Sequence, residues 1–159
     1  MSNQHASSNA TSLSSAFIRS AAQWPDAVAV QDAEGTLSYA QLEAASAAIA
    51  AALRRSGVQR GMRVGVSLAR SRWLVATLLG IVRAGASYVP LDASYPGERL
   101  RAMQADAQVS CLVSEQAPEW AQVPVLPWSS LEAAIAGGER AAWAGRTGSS
   151  AAYVMFTSG

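Results

Sequence analysis

From about residue 60 onward, short apolar runs alternate with helical stretches, and glycine or proline stands at most of the joints. RVGVSLA, ASYVPLD, VSCLVSE, VPVLPW and AAYVMF read as strands. Ser71–Ala84 and PGERLRAMQADA read as helices, and so does a short stretch running from a Ser129-x-x-Glu132 capping box to Gly137-Gly138. This order predicts an α/β fold, a mostly parallel sheet flanked by helices. In such sheets ligands gather beyond the carboxyl ends of the strands.

The same punctuation continues inside the elements. Val64, Val66 and Leu68 alternate as a strand with one face more buried, and Pro90 restricts its own strand to an end or an edge. Gly85 ends the helix before it. That helix is apolar all round, which predicts cover on most sides. Pro96 belongs in the first turn of the next helix, with Glu98 near its positive end.

Upstream of residue 60 the pattern is simpler. SSAFIRSAAQW predicts a helix stopped by Pro25, and AVAVQDAEGTLSY predicts two short strands. Asp32-Ala33-Glu34-Gly35 supplies the turn between them, with Gly35 free to take positive φ. In YAQLEAASAAIAAALRRSG, Leu42, Ala45, Ile49 and Leu53 recur at helical spacing on one face. Arg54 and Arg55 complement the negative end of that helix, and Gly57 closes it. Residues 1–13 read as a disordered polar tail, without the basic start and apolar centre of a signal peptide.

Composition removes several chemistries. The chain has 159 residues, half of them hydrophobic and 14% charged, which argues for a folded domain with a real core. Its formal charge is +1, and the arginines are scattered rather than gathered in a stripe, so no nucleic-acid partner is expected. All twelve basic residues are arginine. Without lysine, neither a Walker phosphate loop nor a pyridoxal Schiff base is complete. Cys111 is the single cysteine and reads as a buried, inert thiol within a strand. His5, the single histidine, lies in the polar tail, so no Ser–His pair or histidine metal site is built on it. Trp73–Val82, the longest strongly apolar stretch, falls well short of the about twenty residues that span a membrane. A cytoplasmic protein is expected.

Two stretches carry candidate chemistry. AAYVMFTSG ends in two hydroxyls and a glycine just past a strand. Backbone N–H groups and hydroxyls so placed can ring a phosphate oxygen, and glycine admits close approach; on spacing alone an ordinary turn is the preferred reading of the tripeptide. There is no G-x-G-x-x-G, so a standard dinucleotide fold is not supported. In YVPLDASYPGERL, Asp92 stands just past a strand, where it either binds something polar or orders the turn through backbone N–H groups. The second reading is preferred. Tyr88 and Tyr95 read as packing groups with a wet hydroxyl.

YVPLDASYPGERL and LSYAQLEAAS resemble two signatures of the amino-acid adenylation domains of nonribosomal peptide synthetases, members of the adenylate-forming superfamily. AFIRSAAQWPDAVAV resembles the usual opening of such a domain, and AAYVMFTSG the start of its phosphate-binding loop. The four blocks occur in the family's order, from about Ala16 to the end of the chain. Tyr88-Val89-Pro90-Leu91-Asp92 leans toward amino-acid adenylation over the acyl-CoA ligases that share the fold.

The resemblance implies that residues 14–159 are the N-terminal portion of an adenylation domain, broken off inside its phosphate-binding loop. Thr157, Ser158 and Gly159 match the first positions of that loop and are the expected nucleotide-binding residues. No catalytic residue and no metal ligand is matched. For the complete enzyme it implies ATP and Mg²⁺, an amino-acid substrate, a carrier-protein domain bearing a phosphopantetheine thiol, and the C-terminal remainder of the domain. The isolated chain is expected to be inactive. Two other readings stay open: a non-catalytic α/β module or split half that needs a partner chain, and part of an acyl-CoA ligase.

Overall fold

The computed structural model describes residues 4–144. Helix α1 spans Gln4–Gln23, so it starts within the segment read as a polar tail and stops just short of Pro25. Strands β1 (Val28–Gln31) and β2 (Thr36–Ser38) form an antiparallel hairpin. Helix α2 (Tyr39–Arg55) leads to β3 (Arg63–Ser67), α3 (Arg72–Arg83), β4 (Ser87–Pro90), α4 (Gly97–Asp106), β5 (Cys111–Ser114), β6 (Val125–Pro127) and α5 (Trp128–Ala136). The expected strand over Ala151–Phe156 lies outside the described residues.

β3 to β6 form a parallel sheet in the order β4-β3-β5-β6. Val64 of β3 stands opposite Tyr88 on one side and Cys111 on the other. The order has a physical consequence. The chain steps outward from β3 to β4 through α3, then crosses back over β3 to β5 through α4. The two crossovers lie on opposite faces, so the carboxyl ends of β3 and β5 form a topological switch point, where the connections part and leave a crevice.

Side-chain alternation sorts the core into two layers. Val64, Val66 and Val113 face α2 and α3 in one apolar cluster, with Ile49, Leu53 and Ile81. Val89 and Leu112 face α4 in the other, with Leu91, Leu100 and Met103. β3 is therefore buried on both faces rather than one, and Leu68 lies beyond its end. Gly65 makes this possible. A Cβ there would stand 2.9 Å from Leu91 Cδ1 and 3.2 Å from Leu112 Cδ1. The periodicity on α2 holds, since Leu42, Ala45, Ile49 and Leu53 are all buried. No residue of α3 is fully exposed.

Helix ends follow local chemistry. Ser38 caps α2 through a reciprocal box with Gln41: Gln41 N–H donates to Ser38 Oγ at 3.1 Å, and Ser38 N–H to Gln41 Oε1 at 2.8 Å. At its far end Gly57 takes φ +97°, its N–H reaching Arg54 O while Val58 N–H reaches Leu53 O. This is a Schellman motif. Gly85 closes α3 and Gly138 closes α5 in the same way. So does Gln108 for α4, at φ 54° and without the freedom of glycine.

Three local expectations are corrected. Gly35 does not take positive φ, because the Asp32 carboxylate accepts from both Glu34 and Gly35 N–H, each at 2.9 Å, and closes the turn. The missing side chain instead admits the Arg72 guanidinium, about 3.5 Å from where a Cβ would sit. Ser129 and Glu132 form no capping box. α5 starts at Trp128 directly from Pro127, whose strand pairing with Ser114 and whose neighbour's packing on Trp73, 6.0 Å between rings, fix the start. Pro96 is the N-cap of α4 rather than a first-turn residue. Among the described residues, Pro90 lies both at the end of its strand and on an edge strand of the sheet, as its chemistry requires.

Candidate functional site

The crevice at the switch point is open and has a volume of about 610 Å³. β3 delivers Ser67 to it, followed by Leu68 and Arg70; β4 delivers Pro90, followed by Asp92; β5 delivers Ser114, followed by Glu115. Leu74 and Leu78 of α3 form an apolar wall. A second hollow of about 340 Å³ continues from it, shares Leu68, Arg70 and Glu115, and reaches Asp32, Ser71 and Trp128.

The polar groups here are mostly committed to holding loops. Asp92 Oδ1 accepts from Ser94 N–H at 2.9 Å, which confirms the turn-ordering role expected for it. That bond first, then the Ser94 side chain and the nearby charge of Arg70, hold the Asp92 carboxyl below its ordinary range. Asp32 is tied more firmly. Its carboxylate accepts from Arg72 N–H at 2.9 Å and from Arg72 Nη1 at 2.6 Å, and these with the turn N–H groups draw its pKa down to about 2. Asp32 thereby also sits on the N-terminal turn of α3, where a negative charge is favoured.

Tyr95 and Tyr88 pack against the two core layers as expected, Tyr95 with the Arg99 guanidinium 4.3 Å from its ring centre. Cys111 is partly buried in β5, and desolvation pushes its thiol up to about 11, so it is inert at neutral pH.

Thr157, Ser158 and Gly159 lie outside the described residues, as does the strand expected before them. What the structure brings together is the set of strand ends at the crevice, Ser67, Pro90 and Ser114. Arg70 and Glu115 are the residues that sequence reading missed. Their signal was available, since Glu115 directly follows one parallel strand and Arg70 stands just past the end of another. Among the described residues, the main crevice offers one guanidinium against two carboxylates, Asp92 and Glu115. That set does not by itself suit a triphosphate. No group of three or more His, Cys, Asp or Glu able to hold a metal ion occurs among the described residues. No described helix is long and apolar enough to cross a membrane.

Comparison with known proteins gives a consistent picture. A family model described as AMP-binding enzyme matches residues 17–159. Syringomycin synthase SyrB1 of Pseudomonas syringae pv. syringae is 44% identical over 147 residues, covering 90% of this chain and 24% of that protein. The structure of VinN in complex with 3-methylaspartate superposes with a TM-score of 0.83 at 29% identity, covering 92% of this chain and 44% of that one. A four-domain nonribosomal peptide synthetase bound to AMP and glycine superposes at 0.70 with 32% identity, covering 89% of this chain and 11% of that one. The chain thus spans less than half the length of each of these relatives. It belongs to the AMP-binding enzyme family, and it corresponds to the N-terminal part of a nonribosomal peptide synthetase adenylation domain.

Proposed function

We propose that this chain is part of an enzyme that activates an amino acid with ATP. A carboxylate oxygen of the amino acid attacks the α-phosphorus, the bond to the β-phosphate breaks, and pyrophosphate leaves. A carrier-protein phosphopantetheine thiolate then attacks the acyl carbon and expels AMP. The reaction brings two anionic partners into line, so it needs Mg²⁺, cationic side chains and loop N–H groups to offset the growing charge.

The observation that carries this reading is the coincidence of motif and topology. Tyr88-Val89-Pro90-Leu91-Asp92 runs out of the carboxyl end of β4 onto the switch-point crevice, within a family match that continues through Thr157, Ser158 and Gly159. Those last three residues are our candidates for the first part of the phosphate loop. The described residues supply scaffold and one face of the crevice. We therefore expect residues 1–159 alone to give no adenylation, since losing even one well-placed donor typically costs about a hundredfold in rate.

The test is ATP–pyrophosphate exchange by the full-length protein that contains this chain, across a panel of amino acids, with residues 1–159 alone run beside it. Exchange with one amino acid, and none from the short chain, supports the reading. Exchange driven by fatty or aryl acids instead would move the protein to the acyl-CoA ligases. Exchange by the short chain alone would overturn the scaffold role.

A further inference from the structure

The amino ends of the parallel strands carry a separate open hollow of about 410 Å³, at the opposite end of β3 from the switch-point crevice. Two connections wall it. One is the turn at residues 59–62 between α2 and β3, and the other brings Gln108 and Ser110 from between α4 and β5. Arg63, the first residue of β3, stands between them. Backbone bonds hold these walls in place: Gly61 N–H donates to Gly85 O at 3.0 Å, Ser87 N–H to Met62 O at 2.9 Å, and Ser110 N–H to Arg63 O at 2.8 Å.

The lining is cationic. Arg60 and Arg63 both belong to it, and no lining residue is acidic; Asp106, at the end of α4, is not among them. Arg63 is half-buried and fixed, because its Nη1 donates to Ala107 O at 2.8 Å. That bond offsets the negative C-terminal end of α4 and uses one of the five guanidinium N–H donors. Helix ends of this sense repel anions. Here the Schellman bonds of α2 and α4, with the Arg63 contact, already meet carbonyls of those ends, so a second guanidinium is not needed for them. The side chains of Gln59, Gln108 and Ser110 make no hydrogen bond among the described residues. Gln108 adds an independent observation. It holds φ 54° on this rim, where the other three Schellman motifs carry glycine. A side chain kept at such a position at a cost in strain points to a use for that side chain.

We propose that this hollow binds a phosphate group, free or carried on a small ester. Arg60 and Arg63 supply the charge, and the Gln108 amide and Ser110 hydroxyl donate to its oxygens. Two guanidiniums without a lining carboxylate match a dianion better than the single charge of a carboxylate, and donors from two connections suit a tetrahedral group. The site stands at the other end of the sheet from the proposed adenylation chemistry and does not depend on it.

The experiment is calorimetric titration of the full-length protein that contains this chain, at about pH 8, where phosphate is a dianion. Inorganic phosphate, glycerol 3-phosphate and acetate are titrated separately. Phosphate should bind with a Kd on the order of 1 mM, and acetate at least about tenfold more weakly. Tighter binding of the ester assigns the site to a phosphorylated small molecule, and tighter binding of inorganic phosphate assigns it to the free ion; either supports the site. Arg60→Met should raise the Kd about tenfold, and Gln108→Gly, which loses one neutral donor, about threefold. The glycine variant is expected to be the more stable protein, so weaker binding there does not come from unfolding. Arg70→Met, in the switch-point crevice, should leave the phosphate affinity within about twofold. No phosphate binding by the unaltered protein, acetate binding as tight as phosphate, or an unchanged Kd in Arg60→Met or Gln108→Gly would overturn the proposal. So would a loss in Arg70→Met as large as that in Arg60→Met, which would place the phosphate in the crevice.

Discussion

Asp32 and Arg72 are joined twice, through the Arg72 backbone N–H at 2.9 Å and through its guanidinium at 2.6 Å. The link ties the tip of the β1–β2 hairpin to the first turn of α3, and so to one wall of the second hollow. The Asp32 pKa lies at about 2 in the folded chain, against an ordinary 3.8. The sign follows from linkage. A depressed carboxylate contributes stability that is fully present above the unfolded pKa and is lost as pH falls through the folded one. Thermal unfolding of the unaltered chain should therefore weaken between about pH 4 and pH 2 through this group. Asp32→Asn should lower the midpoint at neutral pH and flatten that part of the acid limb. An identical acid limb in the variant would show that the pair carries no pH-dependent stability.

Gln108 should be replaceable to advantage. It occupies the left-handed position at the end of α4, at φ 54°, where Gly57, Gly85 and Gly138 stand in the other Schellman motifs. A side chain there crowds its own backbone at a cost of about 1 kcal/mol, and Gln108 is exposed, so it gives up little packing. Gln108→Gly should stabilise the chain by about 0.5 kcal/mol after glycine's added unfolded-state entropy is offset, raising the midpoint by roughly one to two degrees. A lowered midpoint would mean that the glutamine side chain makes a contact worth more than the strain.

Gly80 presents the opposite case. Helix α3 crosses α2 so closely there that a Cβ on Gly80 would fall 2.7 Å from Ile49 Cβ and closer still to its Cγ2, with Ser46 O at 3.2 Å. Alanine is the better helix former by about 1 kcal/mol. Overpacking against a β-branched side chain and a backbone carbonyl works against it, by about 1–3 kcal/mol, and should win. Gly80→Ala should unfold at lower denaturant concentration with an unchanged m-value. A pair with Ile49→Ala should cost less than the sum of the two single changes, because alanine lacks the Cγ2 that the new Cβ meets most closely. A stabilised Gly80→Ala would show that the two helices separate without penalty.

The elements that were legible in the sequence are those whose signal is local. Alternating apolar runs gave the parallel sheet, the i, i+4 stripe of Leu42 to Leu53 gave the buried face of α2, and Gly57, Gly85 and Gly138 gave three helix ends. Errors arose where tertiary packing overrode local chemistry. The capping signal at Ser129 lost to the pairing of Pro127 and the seat of Trp128 on Trp73. Gly35 looked like a positive-φ residue because the turn sequence allows one, but Asp32 met the turn's N–H groups directly. The candidate site was legible only as a place. A strand order of β4-β3-β5-β6 cannot be read from alternation, so neither could the switch point that brings Arg70, Asp92 and Glu115 to one crevice. Arg83 was visible only as one of the scattered arginines, since its partners Glu43 and Ala141 are far from it in the chain.

Gln104 offers the sharpest check on the far face of the sheet. The residue is 3% exposed and its amide is engaged on both sides: Nε2 donates to Leu100 O at 3.2 Å and Trp120 O at 3.0 Å, and Oε1 accepts from Gln122 N–H at 3.1 Å. One side chain of α4 thus holds the loop between β5 and β6 by both strands of its backbone chemistry, a donor and an acceptor. Gln104→Leu keeps similar volume but leaves Trp120 O and Gln122 N–H without their partner, a loss of about 1–3 kcal/mol where water is kept out. Gln104→Glu discriminates further. As a carboxylate it still accepts from Gln122 but sets a negative oxygen against the Trp120 carbonyl; protonated, it donates there again. The glutamate variant should therefore be less stable than the unaltered chain at neutral pH and recover toward it as pH falls through the raised pKa of the new carboxyl. Denaturant melts at pH 7 and pH 5 would read this directly. Equal stability of Gln104→Leu and the unaltered chain would show that the loop is held by Trp120 packing alone.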